Sequence, residues 1–143
     1  MARVAKPSLR WGAETGTLAV SDPASNSPQT AALTGTGMAQ AALSPTSLTF
    51  GTQKAGTPSG QKAVTLTNNL TTALTMSGIT FGGANPGDFT ETDNCGVSVA
   101  AKSSCTIRVT FTPGGTGTRA GTLQVADSAN NSPQTIPLTG TGN

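Results

Sequence analysis

The chain contains no histidine and no tyrosine, one tryptophan (Trp11), four phenylalanines and few charges, 10 % of its 143 residues. Each shortage excludes a class of chemistry. Without histidine, Ser-His-Asp and Cys-His nucleophiles, imidazole general bases and histidine-ligated zinc are unavailable. Eight Lys and Arg against six Asp and Glu leave a net charge of +2, too little to argue for nucleic acid or an acidic membrane surface. The alternation of aromatic and basic residues used by single-strand binders is also missing. No apolar run approaches the roughly 20 residues of a membrane-spanning helix. Glycan-binding modules present exposed aromatic platforms, whereas here Trp11 stands alone and the four Phe fall mostly in core phase, so a glycan ligand is not expected. No catalytic residue, cofactor site or metal-ligand set is assigned, and no enzyme activity is expected.

What is abundant is threonine, 26 residues, beside 18 Gly and 9 Pro. Threonine is β-branched and suits a pleated strand surface, whereas the scarcity of Glu, Lys and Leu denies long 3.6-period segments. Short alternating runs bounded by Gly, Pro and Asn recur every 8 to 15 residues from Ser47 onward, the pattern of a β-sandwich. Seven strands are expected, at 47–50, 63–68, 74–81, 88–92, 106–111, 121–126 and 134–139. Within them Val64, Leu66, Ile107, Val109, Phe111, Leu123, Val125, Ile136 and Leu138 fall on the inward phase. The slip in parity at Ser77-Gly78 predicts a bulge, and Asp127 to Pro133 reads as a turn.

The sequence also repeats itself. Residues 16–37, GTLAVSDPASNSPQTAALTGTG, and residues 121–142, GTLQVADSANNSPQTIPLTGTG, are identical at 16 of 22 positions with a constant offset of 105. At the same offset Arg3-Val4 falls on Arg108-Val109, Gly12 on Gly117 and Trp11 on Thr116. A period of about 105 is a whole domain rather than a solenoid unit. Residues 1–37 therefore read as the C-terminal third of a preceding repeat, 38–42 as a linker and 43–143 as one complete domain. Strand remnants are expected near 2–5, 17–21 and 29–34. Three strands without a partner sheet cannot bury a face alone.

Cys95 and Cys105, ten residues apart, match neither a redox C-x-x-C nor a zinc knuckle. A disulfide closing a short hairpin, which implies an oxidising compartment, is one reading; two buried free thiols are the other. Asp88, Glu91 and Asp93 invite a calcium loop but lack its D-x-D-x-D-G order, and a charged edge strand explains them as well. Glu91 and Asp93 share a face without any mark of a cleft. Lys102-Ser103-Ser104 is not an S-x-x-K dyad, and the glycine-rich 82–87 and 114–117 lead into no helix, so both read as turns. The start of the chain, basic at Arg3, Lys6 and Arg10, is followed by no apolar stretch of the secretion-signal kind; export is expected to rest on a segment outside this chain.

Several stretches together resemble a known module. They are Leu43-Ser44-Pro45-Thr46-Ser47-Leu48-Thr49-Phe50-Gly51, Val64-Thr65-Leu66-Thr67-Asn68, Cys105-Thr106-Ile107-Arg108-Val109-Thr110-Phe111-Thr112-Pro113, Gly121-Thr122-Leu123 and Leu138-Thr139-Gly140-Thr141-Gly142. Their order and spacing are similar to Hydin-type (ASH) immunoglobulin-like domains, in the branch repeated in bacterial choice-of-anchor D surface proteins. The resemblance implies a seven-stranded immunoglobulin-like antiparallel β-sandwich in tandem copies, with Cys95 and Cys105 as the family's disulfide. It also implies eukaryotic relatives that act as ciliary and centrosomal scaffolds without enzymatic activity.

The expected function is a non-catalytic adhesion or spacer module of a repetitive extracellular, cell-surface protein. Partners are expected to be other protein domains or copies of the same chain, with no nucleic acid and no membrane insertion. Because residues 16–37 nearly duplicate the last two strands, head-to-tail fibre assembly by strand donation from residues 1–37 is the competing expectation. An intracellular scaffold is a further one.

Overall fold

A computed structural model describes residues 3–4 and 12–143, in two units, Met1–Ala39 and Gln40–Asn143. The first unit is a three-stranded antiparallel sheet in the order β1 (Arg3–Val4), β2 (Gly12–Val20), β3 (Gln29–Gly37). β2 and β3 form a hairpin of nine pairs, from Gly12 opposite Gly37 to Val20 opposite Gln29. Its turn is closed by small side chains. The Asp22 N–H donates to Ser27 Oγ at 2.9 Å and the Ala24 N–H to Asp22 Oδ1 at 2.9 Å. Val4 sits opposite Leu18 on the outer edge of β2. The remaining expectations for the start of the chain, including Trp11, Lys6 and Arg10, lie outside the described residues.

The second unit is a sandwich of two sheets. One has four antiparallel strands in the order β4 (Ala41–Ser44), β6 (Lys62–Asn68), β10 (Ser104–Phe111), β8 (Phe89–Asp93). The other has five, in the order β5 (Leu48–Gln53), β12 (Gln134–Gly142), β11 (Gly117–Asp127), β7 (Leu74–Gly82), β9 (Ser98–Val99). The immunoglobulin-like sandwich is thus present, with two refinements. Ala41–Ser44 and Ser98–Val99 are strands that the hydrophobic pattern does not show, because each is too short for alternation to register. β4 pairs with β6 from Ala41 onward. β5 runs parallel to β12, so the sheet is mixed rather than wholly antiparallel: the chain crosses between sheets at Ser44-Pro45 and returns beside the last strand.

Alternation sets the interior. β12 is buried at every second residue, and Val64, Leu66, Ile107, Val109, Phe111, Leu123, Val125, Ile136 and Leu138 are all at most 2 % exposed. The expected bulge is real: Ala126 pairs with Gly78 and Asp127 with Met76, leaving Ser77 without an opposite number. Phe50, Phe89 and Phe111 are buried, and ring centroids between 5.2 and 6.2 Å apart link them with Phe81 into one aromatic cluster. The described phenylalanines are thereby committed to the core. Among the described residues no helix is long and apolar enough to cross a membrane; the single helical element is the 3-10 turn Pro86–Asp88.

Candidate functional site

Three places in the fold concentrate chemistry or exposed surface. The first is the disulfide. Cys95 lies in the segment that leaves β8 for β9, passing from one sheet to the other, and it is bonded to Cys105 at the start of β10. Both cysteines are buried, and the Cys95 N–H donates to Asp93 Oδ1 at 2.7 Å. The bridge fastens a sheet-to-sheet crossing to a core strand. Nearby, the wholly buried Asn68 does a similar job with hydrogen bonds. Its Nδ2 is within 2.9 to 3.1 Å of the Thr72, Val99 and Ala100 carbonyls, and its Oδ1 accepts from the Leu70 N–H. Both devices are structural.

The second place is acidic, and the structure divides what the sequence grouped. Asp88 is buried rather than part of a solvated edge, and it belongs to the Pro86–Asp88 turn rather than to a strand. Arg119 grips it with Nε on Oδ2 and Nη2 on Oδ1, and the Gly114 N–H donates to Oδ1 at 3.2 Å. The Arg119 hydrogen bonds hold the Asp88 carboxyl below its ordinary range and raise Arg119 above its own. Asn85 completes this lock by accepting from the Ala120 N–H at 3.0 Å. Glu91 and Asp93 instead line a groove of about 230 Å³ with Met76, Ile79 and Val97. Burial pushes Glu91 up, and the neighbouring Asp93 carboxylate adds to it. Two carboxylates side by side on one strand do not flank a substrate in the way a glycosidase pair does. Among the described residues no group of three His, Cys, Asp or Glu is placed to hold a metal ion. The glycine-rich 82–87 and 114–117 are turns between strands.

The third place is the hairpin β2–β3, which reproduces β11–β12 at an offset of 105. Gly12 opposite Gly37 becomes Gly117 opposite Gly142, and Val20 opposite Gln29 becomes Val125 opposite Gln134, with every pair between them in the same register. The turns also agree: Asp127 N–H donates to Ser132 Oγ at 2.8 Å and Ala129 N–H to Asp127 Oδ1 at 2.9 Å, as in Asp22, Ser27 and Ala24. Both turns carry a cis Ser-Pro bond, at Ser27-Pro28 and Ser132-Pro133. Burial is where they part. Leu138 is wholly buried, whereas its counterpart Leu33 is 37 % exposed. A Cβ on Gly121 would come within 2.7 Å of the Phe89 ring and one on Gly140 would run into Phe111, while Gly16 and Gly35 face open space. Among the described residues, β3 is exposed along the phase that is buried in β12.

The architecture defines the class: an immunoglobulin-like β-sandwich. By the match of residues 41–143, the chain belongs to the family described as Cep192 domain 4. No curated protein matches the chain. Among solved structures it is similar to the human CEP192 ASH/PapD-like domain 7, with TM-score 0.55 and 19 % identity over 73 % of this chain and 86 % of that one. It is also similar to the VesB protease of Vibrio cholerae, with TM-score 0.57 and 22 % identity over 71 % of this chain. The chain spans 32 % of the VesB length. A protein of unknown function from Porphyromonas gingivalis W83 matches with TM-score 0.59 and 15 % identity, over 95 % of this chain and 68 % of that one. At such identities these likenesses bear on the fold alone.

Proposed function

We propose that the chain is a non-catalytic spacer from a repetitive, exported bacterial surface protein, in which sandwich domains follow one another in series. The observation that carries this reading is the register-for-register repetition of β11–β12 in β2–β3. The layout of the complete domain supports it. Its first strand begins beside the β11–β12 turn, where Asn131 Nδ2 donates to the Ala41 carbonyl at 2.7 Å. Its last residue lies at the far end of β12, where the Asn143 N–H donates to the Gln53 carbonyl at 3.0 Å. A chain passing through thus enters at one end and leaves at the other, separated by the nine residues of β12, about 27 Å of strand. In the serial reading each further copy adds its own length to the chain. The disulfide fits an oxidising compartment.

The test is the solution length of chains carrying two, three and four copies of residues 38–143. Small-angle scattering is expected to show the maximum dimension growing by a constant increment of about 30–40 Å per copy. A dimension that saturates after the second copy overturns the serial reading. Thiol labelling of the protein recovered from its own cells tests the compartment. Two blocked cysteines fit export, whereas two reactive ones would move the chain to the intracellular scaffold reading.

A further inference from the structure

We propose that the groove between β7 and β8 is a docking site for an extended segment of another protein, which adds to the free edge of β8 and lays a lysine or arginine side chain over Glu91. The proposal does not depend on the serial reading above. β8 stands last in its sheet. Its register with β10 is extended at both ends, by the Thr112 N–H on the Asp88 carbonyl and the Asn94 N–H on the Thr106 carbonyl. That phase gives the hydrogen bonds of the even-numbered residues to β10. Glu91 and Asp93 therefore turn their backbone N–H and C=O groups to the outer side, where among the described residues no strand follows. β7 is open on its corresponding side too, since β9 pairs only with Leu74 and Thr75 and the Val97 carbonyl takes the Met76 N–H.

The side chains decide what fits. Glu91 and Asp93 lie opposite Val109 and Ile107, both wholly buried, so the two acids occupy the inward phase of an edge strand. Glu91 Oε2 is buried without a hydrogen-bond partner, and among the described residues no Lys or Arg forms an ion pair with either acid. Both acids line the groove with Met76, Ile79 and Val97, and Val97 is 85 % exposed. A strand added to β8 sets one residue directly opposite Glu91 on the same face, with about 5 Å between their Cβ atoms. A basic side chain there supplies the cation that the buried oxygen lacks, and apolar residues two places to either side meet Met76, Ile79 and Val97. A second copy of this chain does not fit, because pairing two β8 edges sets acid against acid. A bare metal ion does not fit either, since among the described residues no third ligand joins the two carboxylates. Without its partner the pair is a desolvated edge that resists self-pairing; the cation arrives with the added strand.

The experiment selects a random-peptide phage library on the immobilised full chain, with the E91Q/D93N chain as counter-target. The recovered peptides are expected to share one lysine or arginine with apolar residues at alternate positions around it. No enrichment over the counter-target overturns the proposal, and so does enrichment of peptides without a basic residue. Titration of the most enriched peptide, made synthetically, is expected to show about tenfold weaker binding to E91Q than to the parent chain. Equal affinity overturns the proposal. Denaturant unfolding of E91Q separates binding from folding: the variant is expected to be at least as stable as the parent while binding less. An E91Q chain that loses stability along with binding counts against the site. Backbone N-methylation of the peptide tests strand addition without altering the protein. Methyl groups on the nitrogens that face β8 are expected to abolish binding, and those on the alternate nitrogens to leave it within about twofold. Equal tolerance of both overturns the proposal. Sedimentation of the unmodified chain is expected to show a monomer, and self-association lost in E91Q would make a second copy the occupant and overturn it. None of these outcomes alters the length increments that test the serial reading.

Discussion

The hairpins β2–β3 and β11–β12 have the same ladder, the same turn bonds and 16 of 22 residues in common over 16–37 and 121–142, yet one lies inside a sandwich and the other has an open face. Alternation of side chains and turn chemistry are local and suffice to give the hairpin its shape. Burial is not local. β12 is buried at every second residue along its length, whereas along β3 only Gln29 is even half-buried. What separates the two is the opposing layer with Phe89 and Phe111, placed by strands that begin at Ala41 and end at Phe111. Paired substitutions at positions related by the offset therefore measure the worth of that layer, since the local chain is nearly constant within each pair.

The largest difference is expected for the leucine pair. Leu138→Ala removes a wholly buried side chain and should cost about 2–5 kcal/mol of unfolding free energy in denaturant titration. Leu33→Ala, at the open counterpart, should change the stability of the same chain by less than about 0.5 kcal/mol. Comparable losses at both positions would show that β3 is covered in solution. The glycine pair comes next. Gly140→Ala forces a methyl into the Phe111 ring and should cost about 1–3 kcal/mol, while Gly35→Ala should be neutral within about 0.5 kcal/mol.

The third test removes a charge. Arg119→Met leaves Asp88 buried without its cation and should cost about 1.5–3 kcal/mol at neutral pH. Asp88 is held below its ordinary value of 3.8, so the stability it lends is present above that pH and is lost as the pH falls through the lower, folded-state value. The gap between Arg119→Met and the parent chain should accordingly close in acid. A gap that persists undiminished well below pH 3.8 would show that Arg119 acts by packing its stem rather than by its charge.

Most of the sandwich is legible in the sequence because its signals are periodic. The inward residues of β6, β10, β11 and β12, the bulge at Ser77-Gly78 and the turn at Asp127 all follow from alternation and turn composition. The polar locks are another matter. Asp88 meets Arg119 across 31 residues, and Asn68 reaches carbonyls 31 and 32 residues away, so no window along the chain contains both partners. Asp88 consequently reads as a surface acid beside Glu91 and Asp93, although the fold turns it inward. β4 and β9 escape for a simpler reason: four and two residues are too few to show a period. The exposure of β3 is not legible, since its own residues look like those of a core strand.

The smallest predicted effect sharpens the contrast between the two acidic positions. Glu91 shares the groove with Asp93, and its Oε2 is buried without a hydrogen-bond partner. Burial, and then the Asp93 charge, raise it above its ordinary value of 4.5, the opposite of Asp88. The sign of its pH dependence is therefore opposite too. The ionised form is disfavoured by folding, so Glu91 weakens the fold at neutral pH and ceases to do so once acid protonates it. Glu91→Gln should stabilise the chain at pH 7 by less than about 1 kcal/mol, since the residue is partly open to solvent screening. That gain should vanish below the ordinary glutamate value, where Glu91 is protonated in both states. Stability curves of the two proteins from pH 7 down to pH 3 should converge from a more stable Glu91→Gln. Curves that instead diverge toward low pH would mean that the Glu91 carboxylate is held by a favourable contact, and that the groove is a cation-binding surface rather than a desolvated edge.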